Sequence, residues 1–281
     1  FYGDITDSLS VDKILTEVKP DLIFNMAAQS HVAVSYTQPL YTTQVDAVGN
    51  LIILESVKRI VPDCRILQAS TSELYGKVLE IPQTEKTPFN PQSPYACAKL
   101  YAFFTTKVYR EAYHLFACNS ICFNNESPRR GETFVTKKIT KGLANWKKTK
   151  SPIHLGNLNS FRDWGYSLEY AEAMYKILEH HIPEDFVIAT NENHSIREFI
   201  EEAVKYIDIN IIWQGTGKEE KGVDSKTGQI VIEINPKYLR PAEVDLLLGD
   251  YSKAKNILGW EPKVKFKELV KIMMEYDLKN N

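Results

Sequence analysis

Short apolar runs alternate with longer amphipathic segments along the first half of the chain. The runs at 22–26, 64–69 and 116–123 have the length of buried strands, and helical spacing predicts helices over about 8–19, 43–59 and 95–114. Asp7 or Ser8 can cap the first of these helices. Strands that alternate with helices are typical of an α/β fold with a doubly wound parallel sheet, which is the fold class we predict.

The second half of the chain continues with a mixed pattern. Helices are predicted over 134–146, 167–180, 195–207, 252–258 and 266–278, and strands over 186–190, 209–213 and 229–234. Ser195 and Glu198 form a capping box at the start of one helix. The stretch 215–228 is rich in Gly, Lys and Glu and is predicted as a loop.

Composition narrows the class of protein. A chain of 281 residues with 43% hydrophobic side chains can bury a large core in one large domain or two intimate ones. The net charge of −2 gives no reason to expect a nucleic acid or a membrane as partner, and no apolar run approaches the ~20 residues of a membrane span. The four cysteines have no Cys-x-x-Cys spacing, which favours free thiols and a cytoplasmic location. No histidine has a partner at metal-ligand spacing, so no metal is expected.

Candidate chemistry is concentrated between residues 68 and 99. Tyr95 and Lys99 lie four apart and so share one face of a predicted helix, where the cation favours the phenolate and allows proton exchange with a substrate hydroxyl. Thr71 and Glu73 follow the carboxyl end of a predicted strand, where ligands bind in open α/β sheets. The alternative is structural: an aromatic and a lysine on a surface helix, and a solvated carboxylate in a turn.

A resemblance decides between these alternatives. Tyr-x-x-x-Lys with Ser/Thr upstream resembles the extended short-chain dehydrogenase/reductase superfamily. Six segments, in order from Gly3 to about Trp260, resemble the GDP-mannose 4,6-dehydratase family: STSELYG, EIPQTEKTPFNPQSPYACAKLYA, FNNESPRRGETFVTKKIT, LGNLNSFRDWG, EDFVIAT and RPAEVDLLLGD. The resemblance implies a Rossmann-like NADP-binding domain over 1–128 and about 165–190, and a smaller α/β sugar-nucleotide domain over 129–164 and 191–281.

The glycine-rich turn that opens a dinucleotide fold is not found in the sequence. Compared with the family, the chain begins about two βα units late, on the order of 60 residues. We expect that this segment is omitted from the printed sequence, because an open sheet without its central strand would expose a long apolar edge. The alternative is a non-catalytic, nucleotide-binding fragment.

The resemblance also implies the reaction: GDP-mannose becomes GDP-4-keto-6-deoxymannose through bound NADP. Thr71 would hydrogen-bond the C4 hydroxyl, Tyr95 would exchange its proton, and Lys99 would bind the nicotinamide ribose. Glu73 would remove the C5 proton and protonate the departing 6-hydroxyl, before hydride returns to C6. The same chemistry on a GDP-manno-heptose is the alternative, motivated by Asn125, the segment 147–152, and Ile121 with Cys122.

Further site residues are carried over by the resemblance, although each set also suits a turn or a solvated connection. The cofactor-binding residues are Asp4, Ile5, Met26, Ala27, Ala28, Gln29, Ser30, Tyr41, Lys99, Asn125 and Arg130. The substrate-binding residues are Ser72, Asn124, Lys138, Arg162, Arg240 and Glu243.

One of these positions departs from the family, and two properties stay open. The family usually has His where this chain has Asn125, so we expect altered cofactor affinity or nucleotide geometry rather than lost function. NAD is not excluded as cofactor, because the residues that read the 2′-phosphate follow the missing second strand. The resemblance implies a homodimer or homotetramer.

Overall fold

The computed structural model describes residues 1–239 and 242–280. The strands of this part are, in order, β1 (Leu22–Asn25), β2 (Arg65–Thr71), β3 (Ala117–Cys122), β4 (Asn124–Glu126), β5 (Ile153–Leu155), β6 (Phe161–Arg162), β7 (Trp164–Tyr166), β8 (Phe186–Ile188), β9 (His194–Ser195), β10 (Ile211–Gln214), β11 (Lys221–Asp224) and β12 (Ile230–Ile234). The α-helices are α1 (Ser8–Val18), α2 (Val32–Thr37), α3 (Pro39–Thr43), α4 (Gly49–Ile60), α5 (Pro94–Tyr113), α6 (Val135–Thr149), α7 (Ser167–Glu179), α8 (Ile196–Ala203), α9 (Ser252–Leu258) and α10 (Phe266–Asn280).

The chain divides into two compact units. The first contains Phe1–Phe123, Tyr170–Asn191 and Gly249–Glu261, and the second contains the described residues of Asn124–Glu169, Glu192–Leu248 and Pro262–Asn281. The predicted division differs at 124–128 and about 165–169, which we expected in the first domain, and at 249–261, which we expected in the second. Residues 249–261 pack with the first unit because Trp260 is buried edge-on against Tyr170.

The first unit is built on a parallel sheet in the order β1-β2-β3-β8. The central strand β3 is buried at every position, as expected for a sheet covered on both faces. Leu54, Val57 and Ile66 belong to one buried cluster of this unit, and Leu67 and Phe186 belong to another. The predicted α/β fold with a parallel sheet is confirmed.

The second unit contains a four-stranded sheet in the order β10-β11-β12-β5, in which only the β12–β5 pair is parallel. Its core includes Trp164, Phe199 and Phe266. The prediction of a loop over 215–228 is wrong at β11, which pairs with strands on both sides. Glycine is unfavourable in strands, and Gly222 lies where the register shifts, so the local pattern concealed this strand.

The helix predicted over 43–59 is interrupted. The helical segment begins earlier than predicted, with α3, and a π-helical turn at Gln44–Val48 separates α3 from α4. The short helix α2 was not predicted at all. The π-helical turn concerns function, because it contains the buried carboxylate of Asp46.

Candidate active site

A short 3-10 turn at the carboxyl end of β2 contains Ser72 and Glu73. Thr71 caps this turn: its Oγ1 accepts a hydrogen bond from the backbone N–H of Glu73 at 3.2 Å. The hydroxyl therefore retains its own proton for donation to a ligand. The Ser72 side chain is buried, whereas Glu73 is half-buried.

The helix α5 begins with the other two predicted catalytic residues. Ser93 caps it by accepting from the backbone N–H of Ala96 at 3.1 Å, and Pro94 occupies its first turn. Tyr95 is 7% exposed and Lys99 is 3% exposed. The Lys99 Nζ donates to the backbone oxygen of Ala69 in β2 at 3.1 Å, and α5 packs against both β2 and the 3-10 turn. The structure thus places the four predicted catalytic residues on neighbouring elements of the first unit.

The electrostatics of Lys99 involve a residue that sequence reasoning missed. Burial lowers the pKa of Lys99, and the negative charge of Asp46 opposes this effect. Burial raises the pKa of Asp46 to about 6, while Lys99 and the backbone N–H of Gln29 oppose the rise. The signal available in the sequence was an acidic residue within the predicted helix 43–59, one turn before the polar Asn50.

Lys99 has hydrogen-bond donors that fit the ribose of a nicotinamide cofactor. An ammonium group has three N–H donors, and the Ala69 oxygen is the one hydrogen-bond acceptor found for Lys99 among the described residues. A buried ammonium with two remaining donors suits the vicinal hydroxyls of a ribose.

The segment predicted to line the cofactor is accessible in part. Met26, Ala27 and Ser30 are exposed, whereas Ala28 and Gln29 are half-buried. The Gln29 side chain stabilises the conformation of the segment. It donates to the Thr42 hydroxyl at 2.9 Å and accepts from the backbone N–H of His31 at 2.8 Å.

The remaining predicted cofactor residues of this unit differ in setting. Tyr41 is exposed. The Asp4 carboxylate accepts from the backbone and the hydroxyl of Thr6, both at 2.8 Å, and these bonds lower the pKa of Asp4. Ile5 packs so closely on Gly49 that a Cβ on that glycine would lie 2.7 Å from the Ile5 Cδ1.

In the second unit, β4 contains Asn124 and Asn125 and pairs with β7. The Asn125 Oδ1 accepts from the Ser167 hydroxyl at 3.4 Å. Arg130 forms an ion pair with the buried Glu126, with 3.2 Å between Nε and Oε2, and its guanidinium lies 3.8 Å from the centre of the Phe134 ring. Burial raises the pKa of Glu126, and Arg130 opposes that shift.

Two predicted substrate residues of the second unit contact each other. Arg162 is 6% exposed, donates to the Val244 oxygen at 2.7 Å, and forms an ion pair with Glu243 at 3.4 Å. Arg240 lies outside the described residues.

Lys138 has a partner that was not predicted. Its ammonium lies 3.2 Å from the centre of the Tyr238 ring. Burial lowers the pKa of Lys138, while a hydrogen bond with Tyr238 opposes the shift. An aromatic residue two positions before Arg240 was the available signal.

Neither a metal cluster nor a membrane-spanning helix is found in the described part of the chain. Within 1–239 and 242–280, no group of three or more His, Cys, Asp or Glu side chains is arranged to hold a metal ion. None of the helices in these ranges combines the length and apolar character needed to cross a membrane.

Comparison with known proteins identifies the family. The family model for GDP-mannose 4,6 dehydratase matches residues 1–273. The chain belongs to the GDP-mannose 4,6-dehydratase family. A GDP-mannose 4,6 dehydratase of Drosophila melanogaster is 56% identical over 99% of this chain and 71% of its own length. One from Homo sapiens is 50% identical over 99% of this chain and 75% of its own length.

Solved structures of other proteins share the fold. RMD from Pseudomonas aeruginosa, complexed with NADPH, has a TM-score of 0.82 and 20% identity, covering 99% of this chain and 88% of that one. A dTDP-glucose 4,6-dehydratase from Bacillus anthracis, in complex with NAD, has a TM-score of 0.80 and 22% identity, covering 99% and 79%. At this identity the likeness establishes the Rossmann-like fold alone.

The family assignment confirms the resemblance seen in the sequence. It does not favour the GDP-manno-heptose alternative, because the relatives that match nearly all of this chain are GDP-mannose 4,6-dehydratases. The roles of individual residues stay predictions. The structure adds two candidate site residues: Asp46, which interacts electrostatically with Lys99, and Tyr238, which contacts Lys138.

Proposed function

We propose that the chain converts GDP-mannose to GDP-4-keto-6-deoxymannose by eliminating water from the hexose. The observation that supports this is the position of Glu73, two residues after Thr71 in the turn against which the Tyr95 and Lys99 helix packs. With a nicotinamide cofactor to accept the hydride, a tyrosine, a lysine and a hydroxyl suffice to oxidise an alcohol. The additional carboxylate is the acid/base group that elimination requires.

NADP is the proposed cofactor, with NAD as the alternative. When bound, it would accept a hydride from C4 and return it to C6, so that the reaction has no net change in oxidation state. Lys99 would hold the ribose hydroxyls through the two N–H groups that Ala69 does not engage. In the second unit, Asn125 and Arg130 are the proposed cofactor contacts, and Asn125 in place of the family's His is expected to alter cofactor affinity or nucleotide geometry.

Tyr95 and Thr71 would act on one oxygen, the C4 hydroxyl. The ammonium of Lys99, one helical turn away, favours the phenolate of Tyr95, which would take the hydroxyl proton as C4 is oxidised. Thr71 would donate a hydrogen bond to the same oxygen, because its own oxygen already accepts one from the backbone N–H of Glu73. Two hydrogen bonds would therefore position the alcohol.

Glu73 would carry out the elimination. A ketone at C4 acidifies the C5 proton, so a single carboxylate can remove it. The resulting carboxylic acid then protonates the departing 6-hydroxyl, which leaves as water. When the hydride is returned to C6, a proton is added to C5, which balances the proton that Tyr95 would take from the C4 hydroxyl. Ser72 is proposed to lie near C6.

The residues proposed for the sugar nucleotide lie in the second unit. Arg162, with Arg240, would bind the diphosphate, because guanidinium groups match phosphate oxygens in charge and geometry. Glu243 would contact the nucleotide ribose, and Asn124 and Lys138 complete the set.

Other observations support the proposed assembly and location. Tyr101, Phe104 and Val108 are exposed along one face of α5, a pattern typical of helices that are covered by another subunit. We therefore propose a homodimer or homotetramer, which light scattering would measure. The four free cysteines support a cytoplasmic location.

The decisive experiment supplies GDP-mannose and NADP to the purified protein. Mass spectrometry should detect a sugar nucleotide that has lost one water, while the absorbance of reduced nicotinamide shows no net increase. Accumulation of reduced cofactor in proportion to product would contradict the proposal, as would the absence of water loss. A parallel reaction with a GDP-manno-heptose tests the substrate range.

A further inference from the structure

Asp46 is a buried carboxylate that the reaction described above does not use. It lies in the π-helical turn Gln44–Val48 and is 2% exposed. Its Oδ1 accepts from the backbone N–H of Gln29 at 2.7 Å, but its Oδ2 is buried and has no hydrogen-bond partner among the residues that the structure describes.

A buried carboxylate with an unpaired oxygen destabilises the fold, so stability does not explain why this residue is an aspartate. Removing charge from water without full hydrogen bonding is unfavourable, and native proteins bury few such atoms. Single π-helical turns inside α-helices occur frequently at functional sites. Both observations indicate that Asp46 is retained for a purpose other than stability.

Asp46 interacts electrostatically with Lys99. The helix α5, which contains Lys99, packs against the π-helical turn, and each of the two side chains favours the charged form of the other. The other titratable group that acts on Lys99 is the thiol of Cys122 on β3. Burial raises the pKa of Cys122 to about 12, so this thiol is neutral at pH 7. Asp46 is therefore the negative charge that opposes the burial of Lys99.

We propose that Asp46 is a positioning residue that keeps Lys99 protonated in its buried site and anchors the segment 27–30 through Gln29. It would act on the reaction through Lys99 and Tyr95 rather than by touching the substrate. The inference rests on the proposed function in so far as Tyr95 and Lys99 form the acid/base pair.

Two substitutions separate the charge from the hydrogen bond. Asp46→Asn removes the charge and keeps an oxygen that can accept from the Gln29 N–H, whereas Asp46→Ala removes both. Asp63→Asn, at an exposed aspartate of the same unit, is the matched control and should leave activity unchanged.

The expected signature is a change in the shape of the pH profile. Without the charge of Asp46, burial lowers the pKa of Lys99 further, so the alkaline limb moves to lower pH. A neutral lysine no longer favours the Tyr95 phenolate, so the acidic limb moves to higher pH. Turnover by D46N at pH 7 should fall about tenfold, the change that corresponds to moving a limb of the pH profile by about one pH unit.

The wild type should lose its higher activity over D46N when Asp46 itself becomes protonated, because the negative charge is then gone. Since the pKa of Asp46 is about 6, the ratio of wild-type to D46N activity should approach one below that pH. A merely structural role would lower activity by one factor at every pH. A D46N profile with the same shape as the wild-type profile would overturn the inference.

NADPH binding provides a readout that does not depend on turnover. Fluorescence titration across pH should show that affinity declines at a lower pH in D46N than in the wild type, with a further uniform loss in D46A, which lacks the Gln29 anchor. If the wild type binds NADPH but does not dehydrate GDP-mannose, the proposed function fails and this titration still decides the role of Asp46. An unchanged pH dependence of binding in D46N would contradict it.

Discussion

The Thr71 hydroxyl accepts a hydrogen bond from the backbone N–H of Glu73 at 3.2 Å. A single turn thus fixes the hydroxyl proposed to act at C4 relative to the backbone of Glu73, whose carboxylate is proposed to act at C5 and C6. The Lys99 ammonium is fixed to the same strand through the Ala69 oxygen. The backbone at the end of β2 therefore holds both the Thr71 hydroxyl and the Lys99 ammonium.

Thr71 should be sensitive to loss of its hydroxyl and tolerant of loss of its methyl group. Thr71→Ser retains the cap on Glu73, and we expect turnover within about threefold of the wild type. Thr71→Val removes both the hydrogen bond to the C4 oxygen and the cap, so kcat should fall about 100-fold or more. Steady-state kinetics with GDP-mannose measure both; equal rates for the two variants would exclude a role for the hydroxyl.

Glu73→Gln should separate oxidation from dehydration. The amide cannot take the C5 proton, but Tyr95, Lys99 and Thr71 are untouched, so C4 oxidation should continue. Reduced nicotinamide should accumulate to at most one equivalent per active site, while loss of water slows by about 100-fold or more. Stopped-flow absorbance and mass spectrometry of the nucleotide sugar measure the two steps.

The control for this experiment is Glu111→Gln, which alters an exposed carboxylate on α5 that pairs only with Lys107 among the described residues. It should behave as the wild type. Unchanged dehydration by E73Q would refute the assignment of Glu73.

Gly76 is required by the loop that connects the 3-10 turn to α5. Its φ is +53°, and a Cβ there would lie 1.9 Å from the backbone oxygen of Asn90. Gly76→Ala should therefore lower the free energy of unfolding by about 3 kcal/mol or more, through backbone strain and a steric clash. Gly228 also has a positive φ, +72°, but a Cβ added there would meet no atom within 4 Å, so Gly228→Ala should lose only about 1 kcal/mol. Denaturant unfolding of both variants tests the difference.

Local signals in the sequence predicted much of the fold. The Asp7 side chain caps α1 as expected, and the Ser195–Glu198 capping box is present at α8. These features depend on residues within one turn of each other, which a sequence pattern records directly. The strand β11 was missed because its pairing with β10 and β12 overrides the low strand propensity of Gly222.

The candidate site divides in the same way. Tyr95 and Lys99 are related by helical spacing, and Thr71 and Glu73 share a turn, so the sequence alone related them. Asp46 and Lys99 interact across two different helical elements, and Tyr238 meets Lys138 across a long separation in sequence. No periodicity records such contacts, which arise only once the chain is folded.

Asp46 should reduce the stability of the protein at neutral pH, and this effect has a definite sign. Its pKa rises from 3.8 in the unfolded chain to about 6 in the fold, so the folded state holds the proton more tightly. The free energy of unfolding then falls as pH rises from 3.8 to about 6, by at most about 3 kcal/mol, and stays lower above that range. Asp46→Asn does not titrate, so it should be more stable than the wild type at about pH 8, with a smaller difference at about pH 5. Urea unfolding at both pH values measures the difference, and a pH-independent difference would show that the Asp46 carboxyl does not titrate as described. A variant that is more stable and yet slower would indicate that the carboxylate is retained for catalysis at the expense of stability.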